Sequence, residues 1–431
     1  MEIVDCIVVG AGVSGLVSAA RMAQAGRSVI VLEASSRVGG CIQSWRLSDE
    51  KAGSEVSAEV VAEAGVEVVA EVVAETVKPA PVSDFWLELG GHTAYNSYSQ
   101  LLEALQERGR LDDLLPREKF GYQFVGPFGG LRSPMKLLNF FEAAISLPFG
   151  IGKAKPGRSV AEWFGALLGR GNYRRLLSPA FAAVLSQPAD AFPAEWLFRS
   201  KPRMQSAPRK YSFPGGLQGL LEALVEGAAF ELRLETAVLS VTRSSVGYEV
   251  QTAAGPINCR HLILAVPVDA ASELLSIAHP DIAHDLQTFP MSSSEALGVV
   301  LPAGQSKLPK VAGLIAESEG DDFWSVVTRD PIPHDTLRGF TFHFRSGRLN
   351  RTAKLARAAA VLGVEPTDFL HVRETLNRLP SPSVEHPKRA AAIDVLLARE
   401  PVALVGNYMN GLSIGDCAER AAQETDRLLA Q

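Results

Sequence analysis

Hydrophobic positions along this chain come in short runs closed by glycine, alternating with longer amphipathic stretches. Residues 7–9 are uniformly apolar and stop at Gly10, the pattern of a buried parallel strand. A helix-compatible stretch follows, then a second apolar strand ending in Glu33. Residues 41–46 and 85–88 read as a strand pair. Residues 96–112 predict an amphipathic helix with Leu101, Leu102 and Leu105 on one face. Residues 134–150 are broadly apolar; core packing is the expected fate of that helix, a membrane-touching or hydrophobic-substrate surface the alternative. Two more helices are predicted over 159–187, and another ends near Gly227. Strands are predicted at 230–242, 246–252 and 257–265. Shorter ones follow at 297–301, 312–315, 323–327 and 339–344, with a helix near 351–361. A last buried strand ends at Gly406, and Gly411 opens a helix running to the end of the chain.

The turn after the first strand carries Gly10, Gly12 and Gly15 in the spacing G-x-G-x-x-G. Gly10 permits a sharp turn, Gly12 lets backbone approach a pyrophosphate, and Gly15 lets helix and strand pack closely. Val13 and Ser14 open the helix, whose free N–H groups and positive dipole suit phosphates. Glu33 stands where it accepts from both hydroxyls of an adenosine ribose, and its charge repels a 2′-phosphate, against NADP. Taken alone, this fingerprint leaves NAD and FAD both open.

Arg37, Gly39 and Gly40 add a second glycine turn and a cation just past the acid. The string LEASSRVGG resembles the extended FAD motif of the flavin amine oxidase and protoporphyrinogen oxidase superfamily. Residues 85–93 (FWLELGGHT) run from a strand into Gly90 and Gly91, where the resemblance implies a turn along the isoalloxazine ring. SVAEWF and LLSPAFAAVLSQ are similar to the helical substrate domain of protoporphyrinogen oxidases, and residues 211–218 (YSFPGGLQ) to the family's F-x-G-G-L-Q segment. Residues 402–417 (VALVGNYMNGLSIGDC) resemble the ending G-N-Y-x-x-G-x-x-x-x-D-C.

The resemblance implies an α/β protein: a discontinuous, Rossmann-like FAD-binding domain with a mixed-sheet and helical substrate domain. The first comprises 1–94, 212–270 and 395–431, the second 95–211 and 271–394. Non-covalent FAD is the implied cofactor. Its implied contacts add Ala34, Cys41, His92, the Val238 backbone against the adenine, and Asn407 at the ribitol or phosphate. They end with Gly411, Leu412, Ser413 and Ile414, whose helix start points N–H groups at the N1/O2 edge, which becomes negative on reduction. The chain departs from the pattern in two places. Gly-Gly-His stands where Gly-Pro-Arg is usual, and Cys41 where amine oxidases carry arginine. Lys307 and Lys310 fall near the region of a flavin-facing lysine in amine oxidases but read as surface residues.

Composition refines this picture. The net charge of −6 argues against a nucleic-acid partner. It comes entirely from residues 49–80, with eight acids, two lysines and a glutamate every fourth residue from Glu55 to Glu75. That 49–82 insert reads as a tandem expansion in a surface hairpin loop. Cys6, Cys41, Cys259 and Cys417 lie far apart, which fits a reducing, cytoplasmic setting without disulfides or a metal site. A strand starting by residue 6 leaves no room for a signal peptide, and no apolar run is long enough to span a bilayer.

A flavoenzyme needs little from side chains beyond orientation. His92, as a titrating base, Tyr408, as a pocket wall, and Tyr211 are the candidates near the ring. The expectation is a protoporphyrinogen-oxidase-like oxidoreductase passing hydride from a hydrophobic or cyclic small molecule to flavin N5. A small-amine oxidase and a non-catalytic flavin protein are the alternatives.

Overall fold

The structure, a computed structural model, describes residues 3–49, 84–126 and 129–431. Nearly all of the acidic repeat therefore lies outside the described residues.

Five short parallel strands make the first sheet, ordered Glu231–Arg233, Val29–Leu32, Ile3–Val9, Gly255–Leu264, Val402–Leu404. Strands Gly247–Thr252 and Val238–Ser244 extend it antiparallel from the first half of Gly255–Leu264. Period-two alternation sends Cys6 and Val8 into one core and Ile7 and Val9 into the other. Helices Val13–Gln24, Ser99–Glu107, Leu217–Val225 and Ile414–Leu429 cover the first face. Val268–Leu275, Pro280–Gln287 and His386–Leu397 cover the second. Leu101, Leu102 and Leu105 are buried in the first-face core, and residues 271–286 and 390–393 pack on the second face of this sheet.

The second sheet runs His371–Pro380, Met291–Pro302, Leu337–Arg345, Phe323–Thr328, Gly313–Ala316, Tyr122–Val125, Leu131–Arg132. It is antiparallel except where Gly313–Ala316 meets Tyr122–Val125. Helix Arg351–Leu362 packs on one face. The other receives the hairpin Ser44–Arg46 and Trp86–Glu88, whose Phe85, Leu87 and Leu89 sit over Gly298 and Gly339. Thr341 Oγ1 donates to the Glu88 carbonyl at 2.7 Å and fixes that contact.

A helical layer spans Phe140–Gly150, Val160–Leu168 and Ser178–Leu185, the last two joined through one π-turn. Val160, Tyr173, Phe181, Phe192 and Trp196 form its core, and Leu412 packs against it. The stretch 134–150 is not core: Phe140, Phe141, Ile145, Leu147 and Phe149 are exposed.

Three boundaries differ from the sequence pattern for local reasons. The helix expected over 96–112 stops at Glu107, and Gly109 then turns with φ +65°. The run 230–242 breaks at Glu235 (φ +50°) into two strands with different partners. The apolar stretch 134–150 breaks at Asn139, whose side chain accepts from Glu142 N–H and caps the longer helix.

A crevice lined by two helix N-termini

The crevice opens where Ile3–Val9 and Gly255–Leu264 end side by side, the switch point at which open parallel sheets hold ligands. Gly10 turns there with φ +99°, and a Cβ on it would stand 2.6 Å from the Ala265 carbonyl oxygen. A Cβ on Gly15 would overlap the Gly10 carbonyl. Gly12 is different: its φ is ordinary (−76°), and the nearest atom to an added Cβ is Gly39 O at 4.0 Å. So Gly10 and Gly15 are glycine because the protein fills their space, whereas at Gly12 the protein itself leaves room for a side chain. Helix Val13–Gln24 has no side-chain cap, so its first N–H groups face this open space.

The second glycine turn is braced on both flanks. Gly39 N–H donates to Ala11 O at 2.9 Å, and a Cβ on Gly40 would lie 3.6 Å from Gly12 Cα. On the other side, a Cβ on Gly90 would overlap Cys41 O, and one on Gly91 would meet Ile414 Cδ1 at 3.3 Å. The four glycine-bearing segments thus meet along one line: 10–15, 39–42, 90–91 and 411–414. Cys41 is exposed on it; Leu412, Ser413 and Ile414 are half-buried.

Glu33 lies across the mouth. Its carboxylate accepts from Ala11 N–H at 2.7 Å, Ser35 N–H at 2.9 Å and Ser35 Oγ at 2.7 Å. Ala34 beside it is exposed. Thr236 N–H donates to Glu33 O at 2.8 Å, which tethers the start of Val238–Ser244 beside the acid. Arg37 does not point freely at the crevice. Its guanidinium donates to Ile42 O and Gly40 O, both 3.0 Å, and stiffens the loop from within.

The two long helices lie parallel, with their N-termini at the same end. Ser14 Oγ donates to Cys417 O at 3.3 Å, and Arg21 pairs with Asp426 further along. Ser413 and Asp416 form a reciprocal cap, with Asp416 N–H to Ser413 Oγ at 3.0 Å and Ser413 Oγ–H to Asp416 Oδ2 at 2.6 Å. Gly411 (φ +130°) packs against that carboxylate. Lys201 Nζ reaches Asp416 Oδ1 at 2.7 Å, and Arg199 lies 3.9 Å from it. Asn407 sits half-buried at the strand end above.

The candidate side chains near the ring fare differently. His92 lies beside Gly91, its Nδ1 2.9 Å from Thr93 Oγ1, and Arg117 donates to its carbonyl oxygen at 2.8 Å. Burial, with Arg117 and His343 nearby, pushes its pKa down to about 3, so it is a neutral imidazole and not the titrating base expected. Tyr408 does not wall a pocket. It is fully buried, its ring folds back over Gly406, and it packs toward Phe289 in the second-face core. His386 Nε2 donates to its carbonyl at 2.6 Å and holds it there. Tyr211 is likewise interior, packed in the first-face core. Lys307 and Lys310 are exposed; Lys307 lies against Gly363, across the second sheet from the hairpin.

Several neighbours of the crevice were not singled out in the sequence. Thr375 Oγ1 meets Gln43 Oε1 at 3.2 Å, and Asn377 Nδ2 donates to Leu89 O at 2.9 Å, so the edge strand His371–Pro380 docks onto the glycine turns. Gln218 Oε1 accepts from Arg37 Nη1 and Ser44 N–H at 3.4 Å. Asp416 was legible in principle, since Ser413-Ile-Gly-Asp416 spells a capping box.

This geometry, a parallel sheet with a glycine-lined switch point and an uncapped helix, defines a dinucleotide-binding α/β protein. The sequence pattern of the flavin containing amine oxidoreductase family matches residues 13–300. The chain belongs to that family and is a flavin-dependent oxidoreductase. Solved structures share its fold over its whole length. One is the "Putative protoporphyrinogen oxidase" from Exiguobacterium sp. 255-15, with TM-score 0.71, 19% identity and 100% of each chain covered. Putrescine oxidase bound to putrescine gives 0.69, 16% and 100% of each chain. A "CLA-producing fatty acid isomerase" from P. acnes gives 0.68, 14% and 98% of each.

Proposed function

We propose that the chain binds FAD non-covalently and oxidises a hydrophobic or cyclic small molecule, in the manner of protoporphyrinogen oxidases. The observation that carries the cofactor reading is the room at Gly12, where an added Cβ would meet only Gly39 O at 4.0 Å, at the start of an uncapped helix. Gly12, Val13 and Ser14 would hold the pyrophosphate, Glu33 the ribose, and the start of Val238–Ser244 the adenine. Gly40, Cys41, Gly90, Gly91 and the start of Ile414–Leu429 would line the ring, with Asn407 beside the ribitol. When bound, FAD supplies the hydride acceptor. The chain's own contribution is orientation and a fixed positive end of a helix at the edge where negative charge grows. His92, being neutral, shapes the site and offers no proton.

Two observations favour the protoporphyrinogen-oxidase-like substrate class. The apolar core of the helical layer reaches Leu412 at the crevice, so an apolar wall adjoins the ring position. Both candidate lysines face solvent, and Lys307 lies beside Gly363 at the end of the helix that covers the opposite face of the second sheet from the hairpin. The family name and the putrescine oxidase likeness favour amines as the second reading. Anaerobic exposure of the purified holoprotein to porphyrinogens and to amines separates the two. Flavin bleaching by porphyrinogens but not amines supports the first reading, and the reverse overturns it. Acid precipitation that leaves flavin in the supernatant supports non-covalent binding.

A further inference from the structure

A cavity with about 140 Å³ of open volume lies where helix Ser178–Leu185 meets the second sheet, apart from the glycine-lined crevice. Strand alternation sets its chemistry. Phe340, Phe342 and Phe344 enter the core under helix Arg351–Leu362, so Arg345, one residue on, turns to the opposite face, toward Ser178–Leu185. Trp324, only 8% exposed, lines the cavity beside it, and the Arg345 guanidinium stands 3.4 Å from the centre of the indole ring. Trp324 Nε1 and Arg345 Nε are both buried and without a hydrogen-bond partner among the described residues. No described carboxylate forms an ion pair with Arg345. Burial lowers its pKa to about 10, which leaves it charged at neutral pH. Folded chains seldom leave buried donors unpaired, so these two point to acceptor oxygens from outside the chain.

The rim carries the opposite charge. Asp190 and Glu319 also line the cavity, both are exposed, and neither pairs with a cation among the described residues. Asp190 Oδ1 accepts from Tyr173 OH at 2.6 Å and from Ser178 Oγ at 2.9 Å, which fixes the carboxylate, while Oδ2 has no described partner. A simple anion passes two acids on its way to Arg345 and is repelled by them. A molecule with an ammonium behind its carboxylate satisfies both charges. The wall between them is small and apolar, from Ala182, Ala189 and Ala316. A cavity of about 150 Å³ admits benzene, so about six non-hydrogen atoms fit here, the size of alanine.

We propose that this cavity binds a small amino acid as its zwitterion, with the carboxylate on Arg345 and Trp324 Nε1 and the ammonium on Asp190 and Glu319. None of the lining residues belongs to the four glycine-bearing segments, so the ligand sits apart from the ring position and is not the molecule oxidised. It joins the helical layer to the second sheet, and its binding stabilises the folded protein. The inference is independent of which substrate reduces the flavin.

Calorimetric titration and thermal melting of the flavin-loaded full chain test this, with alanine, β-alanine, acetate and methylammonium as probes. At least one of the two amino acids is expected to bind and to raise the melting temperature, with acetate and methylammonium at least about tenfold weaker. Arg345→Met keeps an unbranched stem against Trp324 and should weaken amino-acid binding at least about tenfold. Asp190→Asn/Glu319→Gln should weaken it likewise while holding acetate as tightly as the parent or more so. Flavin absorbance should match the parent in both variants. Four results overturn the proposal: neither heat nor a melting shift with either amino acid; acetate bound as tightly as the amino acids, which assigns a plain anion site; amino-acid binding unchanged in either variant; or anaerobic bleaching of the flavin by the amino acid, which places it at the ring.

Discussion

Ser14 and Cys417, 403 residues apart in sequence, are joined by a 3.3 Å hydrogen bond from Ser14 Oγ to the Cys417 carbonyl oxygen. It locks the first and last helices parallel, so two positive helix ends lie at one end of the molecule. One faces the proposed pyrophosphate position and the other the proposed ring edge. A dinucleotide long enough to bridge them would be held by backbone dipoles at both of its polar centres.

The glycines of the first turn should separate by experiment. Gly12→Val adds a side chain where the protein leaves room, at an ordinary φ, so the apoprotein should melt within about 2 °C of the parent. Its retained flavin should fall at least about tenfold, since even one lost phosphate contact is worth that much. Gly15→Ala should instead cost about 1–3 kcal/mol in unfolding free energy, because its Cβ overlaps the Gly10 carbonyl. Flavin content and thermal melting of both variants check this.

The cap of the last helix gives a graded pair. Ser413→Ala removes a cap bond and should cost about 1 kcal/mol. Asp416→Ala removes the other half of the cap and one of the two carboxylates on Lys201, with Glu419 remaining at 2.8 Å, and should cost about 2–3 kcal/mol. Chemical denaturation measures both, and equal losses would contradict the arrangement.

Stability should fall in mild acid. Burial holds His92 down to about 3 and His343 to about 4, below their ordinary 6.5. Their contribution is complete above 6.5 and is lost as pH falls through that value, because the unfolded chain then takes up protons that the folded one refuses. Burial raises Glu88 from 4.5 to about 7, with the opposite sign: its contribution is lost as pH rises to about 7. From pH 6.5 to 5 the two histidines lose about 2 kcal/mol each and Glu88 regains about 2, a net loss of about 2 kcal/mol. His92→Asn/His343→Asn should reverse that slope in denaturant titrations, whatever its effect on absolute stability.

Tyr408→Phe should leave turnover within about twofold, since the ring is core and its hydroxyl has no partner among the described residues. Tyr408→Ala should cost about 3–5 kcal/mol through the cavity it leaves. A large loss of kcat with normal stability in Tyr408→Phe would return this residue to the active site.

The alternation of apolar strand, glycine turn and helix made the first sheet legible, because each of these signals is local. The sharp turn at Gly10 and the close packing at Gly15 were legible from their spacing before any contact was known. Tyr408 was misread because its direction depends on Gly406, which lets the ring fold back, and on His386, which holds its carbonyl; neither is visible in a strand pattern. The strand His371–Pro380 was missed because it is an edge with polar residues on both faces, so it lacks the alternation that a half-buried strand shows. Helix Phe140–Gly150 was expected to be core on hydrophobicity alone, and hydrophobicity does not say which apolar face a fold covers.

Anaerobic absorbance of the flavin in the purified holoprotein, followed on adding a porphyrinogen, tests the central claim most directly. The account predicts bleaching of the visible flavin band with one equivalent of substrate and recovery on admitting an acceptor. A preparation that binds flavin, is reduced by dithionite, and stays oxidised with porphyrinogens and amines alike would contradict it.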